Sequence, residues 1–427
     1  MAGTPPPGGE APELVDHLFR REAGKMIAAL VRIFGVGSVD LAEDVVQETL
    51  CRALEVWKYR PIPENPAAWL MAAAKNRAID VIRRERTLRA FSPDIAHLLQ
   101  SEWTLRATVD ELFLDDEIRD GELRMMFSCC HPKLATSAQM AVILKLLCGF
   151  SVAEIAGAFL ASDAAIEKRL SRALAVLAAS GTLFEVRGRR AIKARLPTVC
   201  RAVYLLFSEG YHSSRPESAV RDDLCREALR LSALLTEHPR TSGPRTHALA
   251  ALCCLHAARL QARVDPEGSL VLLDAQDRSR WDRGLIARGL ALLDLASTGT
   301  DLTEYHLEAA ISAKHCLAES FESTDWAGIV DLYDILLRLR PSPVVALSRA
   351  VAVAHVEGPE RALAEIERIP GSKALDRYRF LPAVLGELSA RAGRFEDARR
   401  HFQRAIALTV SAAEERLYRG KLEACAP

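Results

Sequence analysis

The sequence predicts an all-α protein, and three observations predict it. Apolar residues recur at i, i+3, i+4 and i+7 in segment after segment. Period-2 alternation is sparse, as are the Asn-Gly and Asp-Gly turns that close hairpins. The periodic stretches are punctuated by Gly and Pro, as at Gly243-Pro244, Asp265-Pro266, Gly299 and Pro341. With 427 residues, 49% apolar and 26% charged, the chain suits a globular protein of two to four domains, at roughly 150 residues each. No apolar run approaches the ~20 residues that cross a bilayer; Met140–Phe150 is short and carries Lys145. The N-terminus (MAGTPPPGGEAPE) lacks a cationic segment followed by an apolar one, so no signal peptide is expected and the expected location is cytoplasmic.

The elements follow in order. Residues 1–12 are a Pro/Gly-rich tail, expected to be disordered. Residues 13–34 carry a first helix that ends near Gly35 and Gly37. A second begins at Asp40, with Glu43 three residues on as in a capping box. Val45, Val46, Thr49, Leu50, Ala53, Leu54 and Trp57 form its apolar stripe, and Asp44, Gln47, Glu48 and Arg52 lie off it. Pro61 and Pro63 break the chain. Asn65 is then placed to cap a third helix with Pro66 at its first position, running to about Arg86. Residues 13–90 are read as one domain and 91–116 as a linker. A shorter helical domain covers 117–182, and a helical extension covers 190–427.

Residues 151–177 have the form of a helix-turn-helix. Ser151 and Glu154 make a capping box, and Val152, Ile155, Ala156, Phe159 and Leu160 give a buried stripe. Ala161-Ser162-Asp163 supplies a short turn. In the second helix Ile166, Leu170, Ala173 or Leu174, and Leu177 point inward, which leaves Lys168, Arg169, Ser171 and Arg172 outward. A cationic outer face of this kind can enter a major groove. The bland alternative is an amphipathic hairpin.

The extension repeats itself near residues 315–420. Leu385, Gly386, Ala398, Phe402 and Ala405 fit the 34-residue tetratricopeptide pattern. Ala350, Ala362 and Ile366 match it more loosely one repeat earlier, as do Ile329, Tyr333 and Pro341 before them. Ordinary helical hairpins are the alternative.

Lys plus Arg and Asp plus Glu each number 56, so the net charge is zero, but the charge is unevenly placed. Residues 75–89 carry a net of +4, residues 92–123 a net of −7 and residues 140–195 a net of +5. The two basic stretches can face phosphates, and the acidic one can repel or mask them. Three solvated helix surfaces are the alternative.

The runs DLAEDVVQETLCRALEVW (40–57) and NPAAWLMAAAKNRAIDVIRRER (65–86), followed by the helix-turn-helix, resemble bacterial sigma factors of the extracytoplasmic-function type, in the sigma-70 family. FSCCHPKLA (127–135), YLLFSEGY (204–211), LCREALRL (224–231) and LLDAQDRSRWDRGLI (272–286) extend the likeness to a subgroup with a tetratricopeptide-like helical extension. The resemblance implies region 2 at 13–90, an acidic linker, region 4 at 117–182 and the extension beyond. It implies RNA polymerase core and promoter DNA as partners. Asp44, Gln47 and Glu48 would face the β′ clamp helices, with the β flap a further contact. Trp69, Asn76, Arg77, Asp80, Arg83 and Arg84 would open and read the −10 element, although Trp69 beside Leu70 also suits a core position. Lys168, Arg169, Ser171 and Arg172 would grip the −35 element. A regulatory protein or ligand is a possible partner of the extension. The acidic linker would restrain the free factor from DNA.

A second reading is a helix-turn-helix regulator on a repeat scaffold without sigma activity. Enzymes are a third class. No GxGxxG, P-loop, HExxH or GxSxG occurs. Cys129-Cys130-His131 has no second ligand pair nearby in sequence to complete a zinc site, and Cys253-Cys254 with His256 would have to complete one across the fold. The ten cysteines read as buried free thiols. No metal, cofactor or catalytic residue is expected. The Asp/Arg-dense segment DAQDRSRWD (274–282) reads best as a self-paired buried network, with ligand binding as the alternative.

Overall fold

A computed structural model describes residues 10–34, 38–84, 115–159, 161–180, 189–213, 219–266, 268–369, 375, 378, 380–409 and 411–425. The described residues are all-α, apart from short 3-10 turns and one isolated antiparallel bridge between Val264 and Leu270. They fall into two compact units, the first comprising residues 1–206 with 237–241 and the second 207–236 with 242–427.

In the first unit, α1 (Glu10–Phe34), α2 (Val39–Tyr59) and α3 (Pro66–Arg84) pack on one another. Met26, Leu30, Val45, Val46, Leu70 and Ala74 fill the space between them. Helix α1 begins inside the segment expected to be a tail. Helix α2 begins at Val39, so Asp40 sits in its first turn rather than at the cap. A carboxylate there still complements the exposed N–H groups of the helix start. Asn65 caps α3 as its sequence suggests, its Oδ1 accepting from the Ala68 N–H at 3.0 Å.

Helices α4 (Asp115–Cys129), α5 (Thr136–Leu146), α6 (Val152–Phe159) and α7 (Asp163–Ser180) complete this unit with the start of α8 (Arg189–Tyr211). The acidic linker lies outside the described residues except for Asp115 and Asp116. The turn at 131–134 is pinned by Gln139, whose Nε2 donates to the carbonyls of His131 and Leu134 at 2.9 and 3.0 Å. Arg195 Nη1 donates to the Phe127 carbonyl at 2.9 Å and ties α8 to the end of α4. Helix α1 also packs on α4. A Cβ at Gly24 would run into the Leu147 carbonyl, so the absence of a side chain there allows the approach.

The second unit contains α9 (Asp222–Glu237) and α10 (Pro244–Ala257). Ala248 through Leu255 of α10 are all buried, and α11 (Arg283–Ala296) and α12 (Glu304–Leu317) pack against it. Then follow α13 (Trp326–Leu339), α14 (Pro343–Val356), α15 (Pro359–Glu367), α16 (Phe380–Arg391), α17 (Phe395–Leu408) and α18 (Ala412–Ala424), each packed on the next. The repeat offsets fall at these contacts. Ala350, Ala362, Ala398 and Ala405 are buried, and a Cβ at Gly386 would lie 2.8 Å from the Phe402 ring.

Three further expectations need correction. Leu54 is 52% exposed rather than part of the buried stripe. Cys51 is exposed, whereas the other nine cysteines are buried. Segment 274–282 does not pair its acids with its own arginines. Asp277 accepts from the Ser279 N–H at 2.9 Å, and Asp282 caps α11 by accepting from the Leu285 N–H at 2.9 Å. Carboxylates at successive helix starts are taken up by backbone donors, and the arginines turn elsewhere.

Candidate polymerase and nucleic-acid interfaces

On α2 the buried residues Val45, Val46, Thr49 and Ala53 define the inward face. Asp44, Gln47, Glu48, Cys51 and Glu55 are exposed on the opposite side, where the helical period brings them together. Leu54 joins this surface beside Gln47. An apolar side chain next to acidic and amide groups gives a partner both a contact to bury and charges that fix orientation. The spacing of Leu54 fits either side of the stripe. Only the packing of α2 on α1 and α3 decides.

Helix α3 presents Asn76 and Asp80 to solvent, with Arg77 half-buried. Arg77 Nε donates to Glu48 Oε2 at 2.5 Å, which raises the Arg77 pKa further above its usual value. The two positions assigned to different partners therefore hold each other. Trp69 is half-buried and joins an aromatic cluster. Its ring lies 5.5 Å from that of Trp57, which lies 5.8 Å from Phe19. Trp69 therefore packs on one side and stays partly exposed on the other. The side chains of Arg83 and Arg84 lie outside the described residues.

The helix-turn-helix is held by the capping box at the start of α6. The Ser151 N–H and hydroxyl donate to Glu154 Oε2 at 2.7 and 2.8 Å, and the Glu154 N–H donates back to Ser151 Oγ at 3.2 Å. Ile155 and Ala156 are buried, Val152 and Phe159 are half-buried, and Leu160 lies outside the described residues. In α7, Ile166, Leu170, Ala173 and Leu177 face inward. Lys168, Ser171 and Arg172 share the exposed face. Arg169 stands at its edge, with its guanidinium 5.5 Å from the Phe159 ring centre. It therefore spans the two helices rather than projecting freely. None of Lys168, Arg169 and Arg172 makes an ion pair among the described residues, so their charges remain available to phosphates.

An ion pair between residues far apart in sequence joins α5 to α2. Lys145 Nζ of α5 lies 3.4 Å from Glu43 Oε1 of α2, next to the exposed acidic face.

The Cys/His clusters have a structural environment. Burial pushes the Cys129 thiol far up and Cys130 to about 12, and Cys130 Sγ donates to the Met126 carbonyl. Desolvation, then Arg195 and Lys133, lowers the His131 pKa. A thiol held protonated is a poor nucleophile and a poor metal ligand. Among the described residues no group of three His, Cys, Asp or Glu side chains could hold a metal ion. No described helix is long and apolar enough to cross a membrane.

Residues 18–87 match the family described as sigma-70 region 2, and residues 124–177 match sigma-70 region 4. Residues 195–297 match a family of unknown function, DUF6596. "Uncharacterized protein R00370" of Rhizobium meliloti (strain 1021) is 41% identical over 400 residues, which is 93% of this chain and 92% of that protein. "ECF RNA polymerase sigma factor SigX" of Bacillus subtilis (strain 168) is 25% identical over 137 residues, covering 32% of this chain and 68% of that protein. No solved structure matches the chain.

Proposed function

Because the chain belongs to the sigma-70 family, as a sigma factor of the extracytoplasmic-function type with a C-terminal helical extension, we propose that it binds the RNA polymerase core and directs promoter-specific initiation. The observation that carries this reading is the pairing of two exposed faces on one unit. One is acidic and amide-rich on α2, and the other is cationic on α7. In this reading Asp44, Gln47 and Glu48, with Leu54 beside them, meet the β′ clamp helices, whose coiled coil needs complementary charge. The β flap is the proposed contact of region 4.

Promoter contacts divide by chemistry. Asn76 and Asp80 can hydrogen-bond to exposed base edges, while Arg77, Arg83 and Arg84 neutralise phosphates. Trp69 offers a ring edge to an unstacked base. Lys168, Ser171 and Arg172 approach the −35 element from α7, with Arg169 as a second-line phosphate contact. The factor makes no covalent change in a substrate. The C-terminal extension regulates the sigma unit or supports its hold on polymerase.

The test uses purified core enzyme. Full-length protein should co-purify with core and give run-off transcript from a cognate promoter, whereas the D44K/E48K double variant should lose core binding and keep its fold. Failure of the wild-type chain to bind core would sink the proposal.

A further inference from the structure

Three guanidinium groups gather at the start of α11 and the end of α12 without a carboxylate partner. Arg259 is 5% exposed, and its guanidinium lies 5.9 Å from the Trp281 ring centre. Arg278 lies 4.5 Å from the same ring. Trp281 itself is 3% exposed. Arg278 Nη1 donates to the carbonyls of His315 and Ala318 at 2.7 and 2.8 Å, and Arg259 Nη2 meets His256 Nδ1 at 3.0 Å. These partners are neutral. Burial, with Arg259 next, drives the His256 pKa well down.

None of Arg259, Arg278 and Arg283 forms an ion pair among the described residues. The two nearest acids in sequence, Asp277 and Asp282, are committed to capping. Arg259 Nε, Arg278 Nη2 and Trp281 Nε1 are buried without a hydrogen-bond partner. A cation taken out of water without a counter-ion or full hydrogen bonding is destabilising, so this arrangement calls for negative charge.

A cavity of about 240 Å³ opens at this place. It is lined by Arg278, Trp281, Arg283 and residues 316–319. Its size lies below the ~300 Å³ at which pockets for drug-sized ligands begin, which favours a compact occupant. Burial raises the pKa of the Cys316 thiol in its wall, and Arg259, Arg278 and Arg283 pull it back. Glu319 is an exposed residue of the lining, and Glu322 is exposed and acts on Arg278 through its charge.

We propose that this cavity binds a compact anion, a carboxylate or phosphate group, held by Arg278 and Arg283 beside the Trp281 ring. Guanidinium forks pair in two-pronged fashion with either oxyanion. The buried charge of Arg259, 5.9 Å from the same ring centre, adds to the attraction. The inference concerns the second unit alone and does not rest on the promoter reading.

The full-length chain should be titrated with inorganic phosphate and, separately, with succinate. Ionic strength is held constant with chloride, which is the control. Tryptophan fluorescence and melting temperature are read. One oxyanion should give a saturable fluorescence change and a Tm that rises with its logarithm, and the effective one tells phosphate from carboxylate. Arg283→Gln should raise the half-saturating concentration at least tenfold. Arg280→Gln, an exposed neighbour outside the lining, should leave it unchanged. Glu319→Gln should lower it by removing like charge from the cavity. Arg278 also holds two carbonyls, so the exposed Arg283 carries the decisive variant. A response to neither oxyanion beyond chloride, or an unaltered response in Arg283→Gln, overturns the proposal.

Discussion

Arg77 of α3 donates to the carboxylate of Glu48 on α2 at 2.5 Å, so the residue proposed to meet promoter DNA is held by the one proposed to meet polymerase. Both side chains keep substantial exposure, 30% for Arg77 and 55% for Glu48. An exposed pair of this kind contributes about 0.2–1 kcal/mol and weakens with salt. Its interest is therefore in exchange rather than stability: a partner that takes Glu48 frees the Arg77 guanidinium for a phosphate. We expect Glu48→Gln to change unfolding free energy by less than ~1 kcal/mol. The same variant should weaken core binding, as read by competition with labelled wild type. A large stability loss would mean that the pair is structural.

The cationic face of α7 predicts a salt signature. Lys168→Ala and Arg172→Ala should each reduce the slope of log K against log salt by about 0.9, one phosphate contact apiece. Arg169→Ala should show a smaller slope change and a stability loss of ~0.5–1 kcal/mol, because its guanidinium lies on Phe159. Fluorescence anisotropy on a −35 duplex, from low to moderate salt, makes the comparison.

The side-chain half of the α6 capping box can be removed with one atom. Ser151→Ala deletes the hydroxyl that donates to Glu154 and accepts from its N–H. A loss of about 1 kcal/mol is expected, and DNA affinity should fall through the helix-turn-helix rather than through any lost phosphate contact. The salt slope should then stay at its wild-type value.

The approach of α16 to α17 tolerates no side chain at Gly386, where a Cβ would lie 2.8 Å from Phe402 ring atoms. Gly386→Ala should cost about 1–3 kcal/mol through overpacking, despite the better helix propensity of Ala. Urea melts of the two proteins decide it.

Acidification should weaken the C-terminal unit through His315. Burial first, then the charges of Arg259, Arg278 and His355, lowers its pKa to about 3. The unfolded chain takes up a proton near pH 6.5 while the folded chain stays neutral. The contribution of His315 to stability is therefore complete above about pH 6.5 and is lost as pH falls toward about 3. Between pH 7 and pH 5, His315→Asn should lose less stability than wild type in denaturant melts. An equal loss would show that other groups dominate.

The chain by itself determined the helices and most of the outward faces. Asn65 before Pro66, Ser151 three residues ahead of Glu154, and Lys168 with Arg172 on one helical stripe are local patterns, and local patterns survive folding. Tertiary structure decided what depends on neighbours distant in sequence. Leu54 lies out because α1 and α3 pack against the other side of α2. Asp277 and Asp282 became caps, leaving Arg278 to bind carbonyls at 315 and 318 that no spacing rule connects to it. Glu43 with Lys145 and Glu48 with Arg77 pair across helices for the same reason. A period fixes which side chains share a face, but only the packing of one face on another fixes which charges find partners and which are left without them.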